Sequence, residues 1–331
     1  MSDRAFIATT GRGLVGASQQ DDGAWRVVSL LGDCDARCLA VDRRSPGRVY
    51  AGTQGAGVLR SDDGGTTWRA CGLGGRVVKA LAASPARAGL VYAGTRPAGL
   101  FVSRDGGTTW DEVAAFRRIP WRWLWLSPAE RPFIGYVQAI ALSPTDPERI
   151  VVGVEAGATV LSEDGGATWT GHRRGALRDC HGLAFHACQG DWLYEAGGTG
   201  GGVAMSRDGG RTWARPGEGL DRHYGWAVAA DPARPEVWYV SASPGASRAH
   251  SEANAQAGIY RHDGERWQRL AGGLPQPLSQ MPYALITEGD PPGSLNAGLS
   301  NGDLWCSHDR GESWGLLPVN LGRIHRALLL L

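Results

Sequence analysis

The chain has 331 residues, of which 34 are basic and 33 acidic, so its formal net charge at pH 7 is +1. This balance provides no general positive field and disfavours a function in nucleic-acid binding or at a membrane surface. Fifty glycines, 14 tryptophans and only five phenylalanines indicate many tight turns and short strands rather than a bundle of helices.

The beginning of the chain and its cysteines predict a cytoplasmic protein. The segment MSDRAFIATTGRG has no basic region followed by an apolar run, so no secretory signal is expected, and no apolar stretch is as long as a membrane span. The six cysteines lack paired CxxC spacing, so we expect reduced thiols and no cysteine zinc site.

A short phrase that ends in tryptophan recurs seven times and divides the chain into units. It reads SDDGGTTW at 61–68, SRDGGTTW at 103–110, SEDGGATW at 162–169 and SRDGGRTW at 206–213. Three altered copies end at Trp25, Trp267 and Trp314, and successive phrase tryptophans are 42 to 59 residues apart. That period is typical of one four-stranded propeller blade.

In chain order, each unit predicts four short strands, with the phrase in the turn before the fourth. The first unit has strands at 38–42, 49–53 and 58–61, and Trp68 opens the fourth. The seventh innermost strand, 327–331, has no strands after it, whereas 6–9, 14–17 and 25–28 lack an innermost strand. We therefore predict an all-β chain: one seven-bladed propeller over 1–331, its last blade closed by both ends of the chain.

The phrase resembles the BNR or Asp-box repeat, found in sialidases, xyloglucan-cleaving hydrolases, sortilin-type receptors and photosystem assembly factors. The resemblance implies a structural turn, in which the aspartates hold the hairpin and are not catalytic: Asp63, Asp105, Asp164 and Asp208. Similar sialidases have six blades and an early F/Y-R-I-P phrase, which this chain lacks, so it is not a typical sialidase. Similar xyloglucan hydrolases place two propellers across a cleft, and only one is predicted here.

Two connections are much longer than the repeat requires. They span 111–137, which includes the tryptophan-rich stretch 119–128, and 242–258, and the strand order places both on the face where the channel opens. If 119–128 were extended, Trp121, Trp123 and Trp125 would lie on one side. They would then cover the propeller, stack on a sugar or contact a partner. The second loop is either a mobile lid or disordered.

The residue before each innermost strand should point into the mouth of the channel. The seven residues at this position are Arg37, Lys79, Gln138, His181, Trp226, Tyr283 and Arg326. Three cations from consecutive blades suit a carboxylate, phosphate or sulfate, with Arg96 added from a nearby turn. The alternative is that they pair with acids such as Asp33, Asp35 or Glu155.

The other side of the mouth carries groups that could move protons or bind a metal. We expect His181, Tyr283, Tyr224 and Glu155 as candidate catalytic residues. A divalent metal is not favoured, and its alternative ligands are His181 with either His223 or His325, together with Glu155. No cofactor is identified.

Two functions remain open at the level of the sequence. In the first, the mouth binds a small anionic or sugar-like ligand, and its catalytic form is a hydrolase or lyase that uses His, Tyr and Glu. In the second, the chain is a non-catalytic scaffold that holds a partner protein through the 119–128 loop. The expected partners are a small molecule or carbohydrate, or a protein, and not a nucleic acid or membrane. A mouth plugged by Trp226 or the tryptophan-rich loop, with the cations paired within the protein, would exclude the enzyme.

Overall fold

The computed structural model describes residues 4–331, which form seven antiparallel sheets arranged as the blades of a propeller. Blade 1 comprises Ala36–Val41, Val49–Thr53, Val58–Ser61 and Arg69–Ala70, and blade 2 comprises Val77–Ala83, Val91–Arg96, Gly99–Ser103 and Asp111–Glu112. Blade 3 comprises Val137–Leu142, Ile150–Val154 and Thr159–Ser162, and blade 4 comprises Cys180–Phe185, Leu193–Gly197 and Val203–Ser206. Blade 5 comprises Tyr224–Asp231, Arg234–Ser243, Gly258–His262 and Trp267–Leu270, and blade 6 comprises Pro282–Glu288, Ser294–Leu299, Asp303–Ser307 and Gly315–Asn320.

Blade 7 closes the ring, as the sequence predicts. Its strands are Leu328–Leu330, Ala5–Thr9, Leu14–Gln19 and Trp25–Leu31, in that spatial order. Leu330, Leu329 and Leu328 pair with Phe6, Ile7 and Ala8, and this innermost strand also contacts the innermost strands of blades 6 and 1. The seven-bladed all-β fold with its two-ended last blade is therefore confirmed.

Each blade differs slightly from the ideal unit. Blades 3 and 4 have three strands instead of the predicted four, because their fourth segment forms at most an isolated bridge, Met205 to Ala214. The cores lie between blades, where side chains from facing sheets interdigitate; one such cluster joins blades 2 and 3 around Leu100, Phe116 and Val152, and another of equal size joins blades 5 and 6. Each blade therefore buries its apolar surface against its neighbours in the ring.

The tryptophan phrase forms a compact turn on the face opposite the channel mouth. In the five copies that begin with serine, its hydroxyl donates to the aspartate Oδ1 at 2.7–2.8 Å and accepts the N–H four residues on at 2.7–2.9 Å. The aspartate also accepts a hydroxyl from the residue before the tryptophan, as Asp63 does from Thr67 at 2.5 Å. The Trp68 Nε1 donates to the Gly65 carbonyl at 2.8 Å. The polar groups of the phrase are thus used to hold the turn.

A β-bulge recurs at the start of six innermost strands and explains how the channel mouth is built. In blades 1 to 4 and 6, the pairing with the second strand skips one residue, for example between Ala36 and Cys38 and between Cys180 and Gly182. In blade 5 the irregularity spans Gly225 to Val228. An unpaired bulge residue turns its side chain away from the ladder direction. The bulged positions include Arg37, Lys79, Gln138, His181, Trp226 and Tyr283, which therefore point into the channel.

The two long connections carry the short helices of the structure. Segment 111–137 contains the 3₁₀ helices Ala114–Arg118 and Arg122–Leu124, and segment 242–258 contains the single α-helical turn Ala246–Ala249. Within residues 4–331, none of these helices has the length and apolar character needed to cross a membrane.

Candidate ligand site at the channel mouth

All seven predicted mouth residues line one cavity of about 280 Å³. The cavity wall below them consists of the next two residues of each innermost strand, such as Ala80 and Leu81. Cations lie on one side of the mouth, from blades 7, 1 and 2, and aromatic and imidazole groups lie on the other, from blades 4, 5 and 6. The cavity is small and polar at its entrance, with an apolar floor.

A single carboxylate from the first long loop occupies the cationic side. Glu130 Oε1 lies 2.5 Å from Lys79 Nζ, 3.5 Å from Arg326 Nη2 and 3.8 Å from Arg37 Nη1, and Oε2 lies 3.3 Å from Arg96 Nη1. Arg37 additionally pairs with Asp35 at 2.6 Å. The sequence did not indicate Glu130. Of the acids proposed as partners, only Asp35 pairs with one of these cations.

Burial and neighbouring charges shift the pKa values of Lys79 and Glu130 in this cluster. Burial, together with the neighbouring charge of Arg326, lowers the pKa of Lys79 to about 8, although its ion pair with Glu130 opposes this shift. Burial would raise the pKa of Glu130, but the pair with Lys79 outweighs it and holds that pKa below its usual range. Four cations facing one loop carboxylate leave the cluster with excess positive charge at neutral pH.

On the other side of the mouth, His181 faces two carboxylates. Its Nδ1 lies 2.7 Å from the Gly225 carbonyl, so Nδ1 carries a proton and donates it. Its Nε2 lies 3.6 Å from Asp179 Oδ1 and 3.8 Å from Glu155 Oε2, and the His181 side chain is 1% exposed. Glu155 comes from the turn after Ile150–Val154, and Asp179 directly precedes the innermost strand of blade 4.

The three groups shift one another's protonation. Burial raises the pKa of Glu155 to about 7, against the opposing effect of His181. Burial would lower the pKa of His181, but Asp179 and Glu155 outweigh it and raise that pKa. Burial also acts to raise the pKa of Asp179, and the adjacent His181 outweighs it and lowers that pKa. A proton can therefore be taken up or released here near neutral pH, which suits acid–base chemistry.

The second long loop reaches the same mouth through His250. Its Nε2 lies 2.9 Å from the Tyr224 hydroxyl and its Nδ1 lies 2.9 Å from the Tyr283 hydroxyl. Burial and the nearby His181 lower the pKa of His250 to about 4, so at neutral pH one nitrogen donates and the other accepts. Both candidate catalytic tyrosines are thus tied to the loop, and burial raises the pKa of each.

Of the remaining candidate residues, some contact His181 and others lie apart from it. Trp226 packs on His181, with ring centroids 4.7 Å apart, and Gln138 Nε2 donates to the His181 carbonyl at 3.5 Å. His223 is exposed, and His325 lies beside Arg326, where burial and that charge lower its pKa to about 4. The prediction of His223 or His325 as a metal ligand beside His181 is therefore wrong. Within residues 4–331, the residues that come together as potential ligands are Glu155, Asp179 and His181.

The tryptophan-rich stretch is not extended, so the expectation of three aligned indoles is wrong. Trp121 has a left-handed backbone with φ of 64°, and the next residues form the 3₁₀ helix Arg122–Leu124. This folds Trp125 inward against Phe116, while Trp121 and Trp123 remain 68% and 69% exposed. A groove of about 820 Å³ runs between this stretch and the turns of blades 3 and 4, with Trp121, Leu124 and Trp125 on one wall.

Sequence reasoning missed two residues of the mouth, Glu130 and Asp179, and it considered His250 only as part of a loop that is either a mobile lid or disordered. Asp179 had a signal, because residues two apart in an extended segment share a face and Asp179 precedes His181 by two. Glu130 and His250 lie in loops that do not follow the repeat, so no alignment of the units could place them.

Comparison with known proteins identifies the fold of the chain but not its function. No protein-family model and no curated protein matches the chain. Among solved structures, it is similar to the GH74 xyloglucanase from Xanthomonas campestris, with 19% identity, a TM-score of 0.69 and coverage of 94% of this chain and 52% of that one. It is also similar to the GH74 enzyme of Niastella koreensis, with 16% identity, a TM-score of 0.62 and coverage of 98% and 65%.

A third similar structure is YCF48 bound to D1 peptide, with 14% identity, a TM-score of 0.58 and coverage of 96% of this chain and 84% of that one. The chain spans less than two thirds of the length of either GH74 enzyme. The neighbours thus include both glycoside hydrolases and a peptide-binding propeller. At this level of identity they show that the chain is a propeller of the same architecture, and its function has to be argued from its own side chains.

Proposed function

We propose that the channel mouth binds a small anionic, sugar-like molecule whose carboxylate is held by Lys79, Arg326 and Arg37. The observation that carries the proposal is the way these cations converge on one carboxylate oxygen, Glu130 Oε1, at 2.5, 3.5 and 3.8 Å. A cluster that surrounds a loop carboxylate can surround the carboxylate of a ligand in the same position. Glu130 is 23% exposed at the end of a long loop, so a ligand can compete with it for the cations.

The rest of the cavity suits a sugar acid. A volume of about 280 Å³ lies at the small end of ligand pockets, which typically measure about 300–1,000 Å³. Trp226 and Tyr283 lie next to each other, with ring centroids 5.3 Å apart, and provide apolar faces opposite the cations. One end of such a ligand would be held by charge and the other by contact with aromatic rings.

In this proposal, His181 and Glu155 are the groups placed to exchange protons with the bound ligand. Their chemistry suits hydrolysis or elimination, with Tyr224 and Tyr283 as hydroxyl donors. The Glu130 ion pairs compete with ligand binding, because a ligand must first displace that carboxylate from the cations. Ligand binding is the primary proposal, since it rests on the cationic cluster alone, and catalysis is its extension. A cytoplasmic location stays a prediction.

The proposal predicts opposite effects of two substitutions at the cationic cluster. Lys79→Met removes a buried charge with little change in volume, and we expect it to weaken the binding of glucuronate at least about tenfold. Glu130→Ala removes the internal competitor, and we expect it to strengthen binding at least about tenfold. Isothermal titration calorimetry with glucuronate, and with glucose as the uncharged match, measures both effects.

Arg26→Ala serves as the control because Arg26 is exposed, lies in the outermost strand of blade 7 and does not line the cavity; it should bind like the wild type. Glu130→Gln, which keeps the bulk but not the charge, replaces Glu130→Ala if the latter does not fold. The proposal would be contradicted if glucuronate bound neither the wild type nor the Glu130 variants. It would also be contradicted if Lys79→Met bound glucuronate with the same affinity as the wild type.

A second candidate function is favoured by the groove beside the tryptophan-rich stretch. Five large apolar side chains of this loop are 49–69% exposed: Trp121, Trp123, Leu124, Leu126 and Phe133. An apolar surface of this kind beside a groove is typical of a protein interaction site. The similar YCF48 structure contains a bound peptide, which supports an extended peptide segment as the occupant.

This second function predicts peptides that need the two exposed indoles. We expect selection from a displayed random-peptide library to enrich apolar peptides on the wild type, and their binding to fall at least about tenfold in the double variant Trp121→Ala, Trp123→Ala. The melting temperature should stay unchanged, because both indoles are exposed. If the tryptophans only cover the propeller, the double variant should instead unfold at lower temperature and no peptide should be enriched.

A further inference from the structure

We propose that Glu155, Asp179 and His181 bind one divalent first-row transition-metal ion, such as Zn²⁺, at the wall of the channel mouth. The site goes beyond the binding of a sugar acid and does not depend on it. One ligand atom from each residue lies within 4.8 Å of the other two. The argument rests on the direction of the His181 ring, on the distances and on the lack of another partner for Glu155.

The His181 ring presents a lone pair to the two carboxylates. Because the Gly225 carbonyl accepts the proton on Nδ1 at 2.7 Å, the neutral ring has its unprotonated nitrogen, Nε2, on the side of Asp179 and Glu155. A backbone carbonyl on the other ring nitrogen is the usual outer partner of a metal-binding histidine. Two carboxylates that face this nitrogen call for a positive charge between them, which either a proton on Nε2 or a bound metal ion can supply.

The distances fit a metal centre better than a direct contact. A charge-assisted hydrogen bond from an imidazolium to a carboxylate would be about 2.7–2.9 Å long, whereas the two Nε2 to oxygen distances are 3.6 and 3.8 Å. Ligand atoms bound at about 2.0–2.2 Å in a tetrahedral site lie about 3.4 Å apart. Small side-chain rotations bring the observed distances to that value.

The Glu155 carboxylate forms no hydrogen bond in the part of the chain that the structure describes, and its nearest ionisable contact is His181 Nε2 at 3.8 Å. Its side chain is 10% exposed. An isolated buried carboxylate is costly, and a divalent ion would balance the charges of Glu155 and Asp179. Three protein ligands next to a cavity would leave a position open for water or a ligand, as in catalytic zinc sites.

The ligand set selects among metals. One imidazole nitrogen and two carboxylate oxygens suit Zn²⁺, Mn²⁺ or Fe²⁺, and the imidazole disfavours Mg²⁺ and Ca²⁺. We expect Zn²⁺ to bind more tightly than Mn²⁺, and Mg²⁺ to bind at least about 100-fold more weakly than Zn²⁺.

The test is calorimetric titration of tag-free protein, freed of metal by chelation, with Zn²⁺ and separately with Mg²⁺. All proteins carry Cys188→Ser, because Cys188 is an exposed thiol that could bind zinc elsewhere. We expect one Zn²⁺ per chain in the parent protein and a loss of affinity of at least about 100-fold in Glu155→Gln, Asp179→Asn and His181→Ala. His223→Ala should bind like the parent, since His223 is an exposed histidine outside the cluster.

Binding of Co²⁺ gives a second readout, because a tetrahedral site produces visible absorption that adventitious surface binding does not. Far-ultraviolet circular dichroism shows whether each variant is folded, and Glu155→Gln is the variant least expected to unfold. No Zn²⁺ binding in the parent, or binding that Glu155→Gln and Asp179→Asn leave unchanged, would overturn the site. Glucuronate titrations of the metal-free protein separate this outcome from a failure of the proposed function.

Discussion

Replacing Leu328 by aspartate should remove most of the stability of the propeller. Leu328 is 5% exposed and packs between blade 7 and blade 6, among Phe6, Ala8, Ala284 and Leu304. Truncating a buried leucine to alanine costs about 2–5 kcal/mol, and an unpaired buried carboxylate adds to that loss. Because whole proteins have about 5–15 kcal/mol of stability, we expect Leu328→Asp to lose at least about 5 kcal/mol.

Leu331→Asp is the matched control three residues away. Leu331 is 38% exposed, and its backbone N–H donates to the Ala5 carbonyl whichever side chain it carries. We expect its free energy of unfolding to stay within about 0.5 kcal/mol of the wild type. Urea unfolding followed by tryptophan fluorescence measures both variants, with Leu328→Ala expected between them. Equal stability of Leu328→Asp and Leu331→Asp would mean that this strand does not close the ring.

Replacing Glu195 by glutamine should remove a large part of the pH dependence of stability. Glu195 lies in the second strand of blade 4 and is 0% exposed. It accepts hydrogen bonds from the Thr159 hydroxyl at 2.6 Å and the Leu177 N–H at 2.8 Å. Burial raises the pKa of this carboxyl to about 7 from an ordinary value of 4.5, against the lowering effect of those two donors.

The direction of the effect follows from proton binding. Below pH 4.5 Glu195 is protonated in both the folded and the unfolded chain, and its contribution to stability is fully present. Between pH 4.5 and 7 the unfolded chain releases the proton while the folded chain keeps it, so stability falls as pH rises. The shift between those two values corresponds to about 3 kcal/mol, fully lost above pH 7.

Glutamine can satisfy the same pocket without a charge. Its carbonyl accepts from Leu177, its amide donates to the Thr159 oxygen, and Thr159 donates to the Leu177 carbonyl, from which it is 3.1 Å away. We expect the free energy of unfolding of Glu195→Gln, relative to the wild type, to rise by about 3 kcal/mol between pH 4.5 and 8. Urea unfolding at each pH measures this difference.

The difference between Glu195→Gln and the wild type isolates this residue from Glu155, whose pKa burial also raises to about 7. Glu265→Gln, on an exposed turn, reports any general effect of replacing glutamate by glutamine. A stability difference that stays flat across pH would show that Glu195 is ionised throughout in the folded protein.

Much of the candidate site was accessible to sequence analysis because of one geometric regularity. Lys79 and His181 occupy the same position in their units, and that position is a β-bulge that points the side chain into the channel. A repeated unit places equivalent residues at equivalent heights around the ring, so aligning the units was enough to group the seven residues that line the entrance of the cavity.

The conformation of the tryptophan-rich loop was not accessible in this way. Its side chains alternate in the sequence, and alternation predicts an extended strand only if a neighbouring strand pairs with it. No such partner exists for 119–128 among the described residues, and the left-handed Trp121 turns the chain so that Trp125 packs on Phe116. Burial of one large indole outweighed the local pattern.

The sequence alone sets the number of blades, the closure of the last one and the identity of the residues around the mouth, because these follow from a short unit repeated along the chain. The tertiary structure decides which charges meet there. Glu130 reaches Lys79 from 51 residues away, and Glu155 reaches His181 from the turn between the second and third strands of blade 3, while Asp179 directly precedes the first strand of blade 4. Loop closure brings these carboxylates to the mouth, and loop paths depend on packing that no repeat encodes.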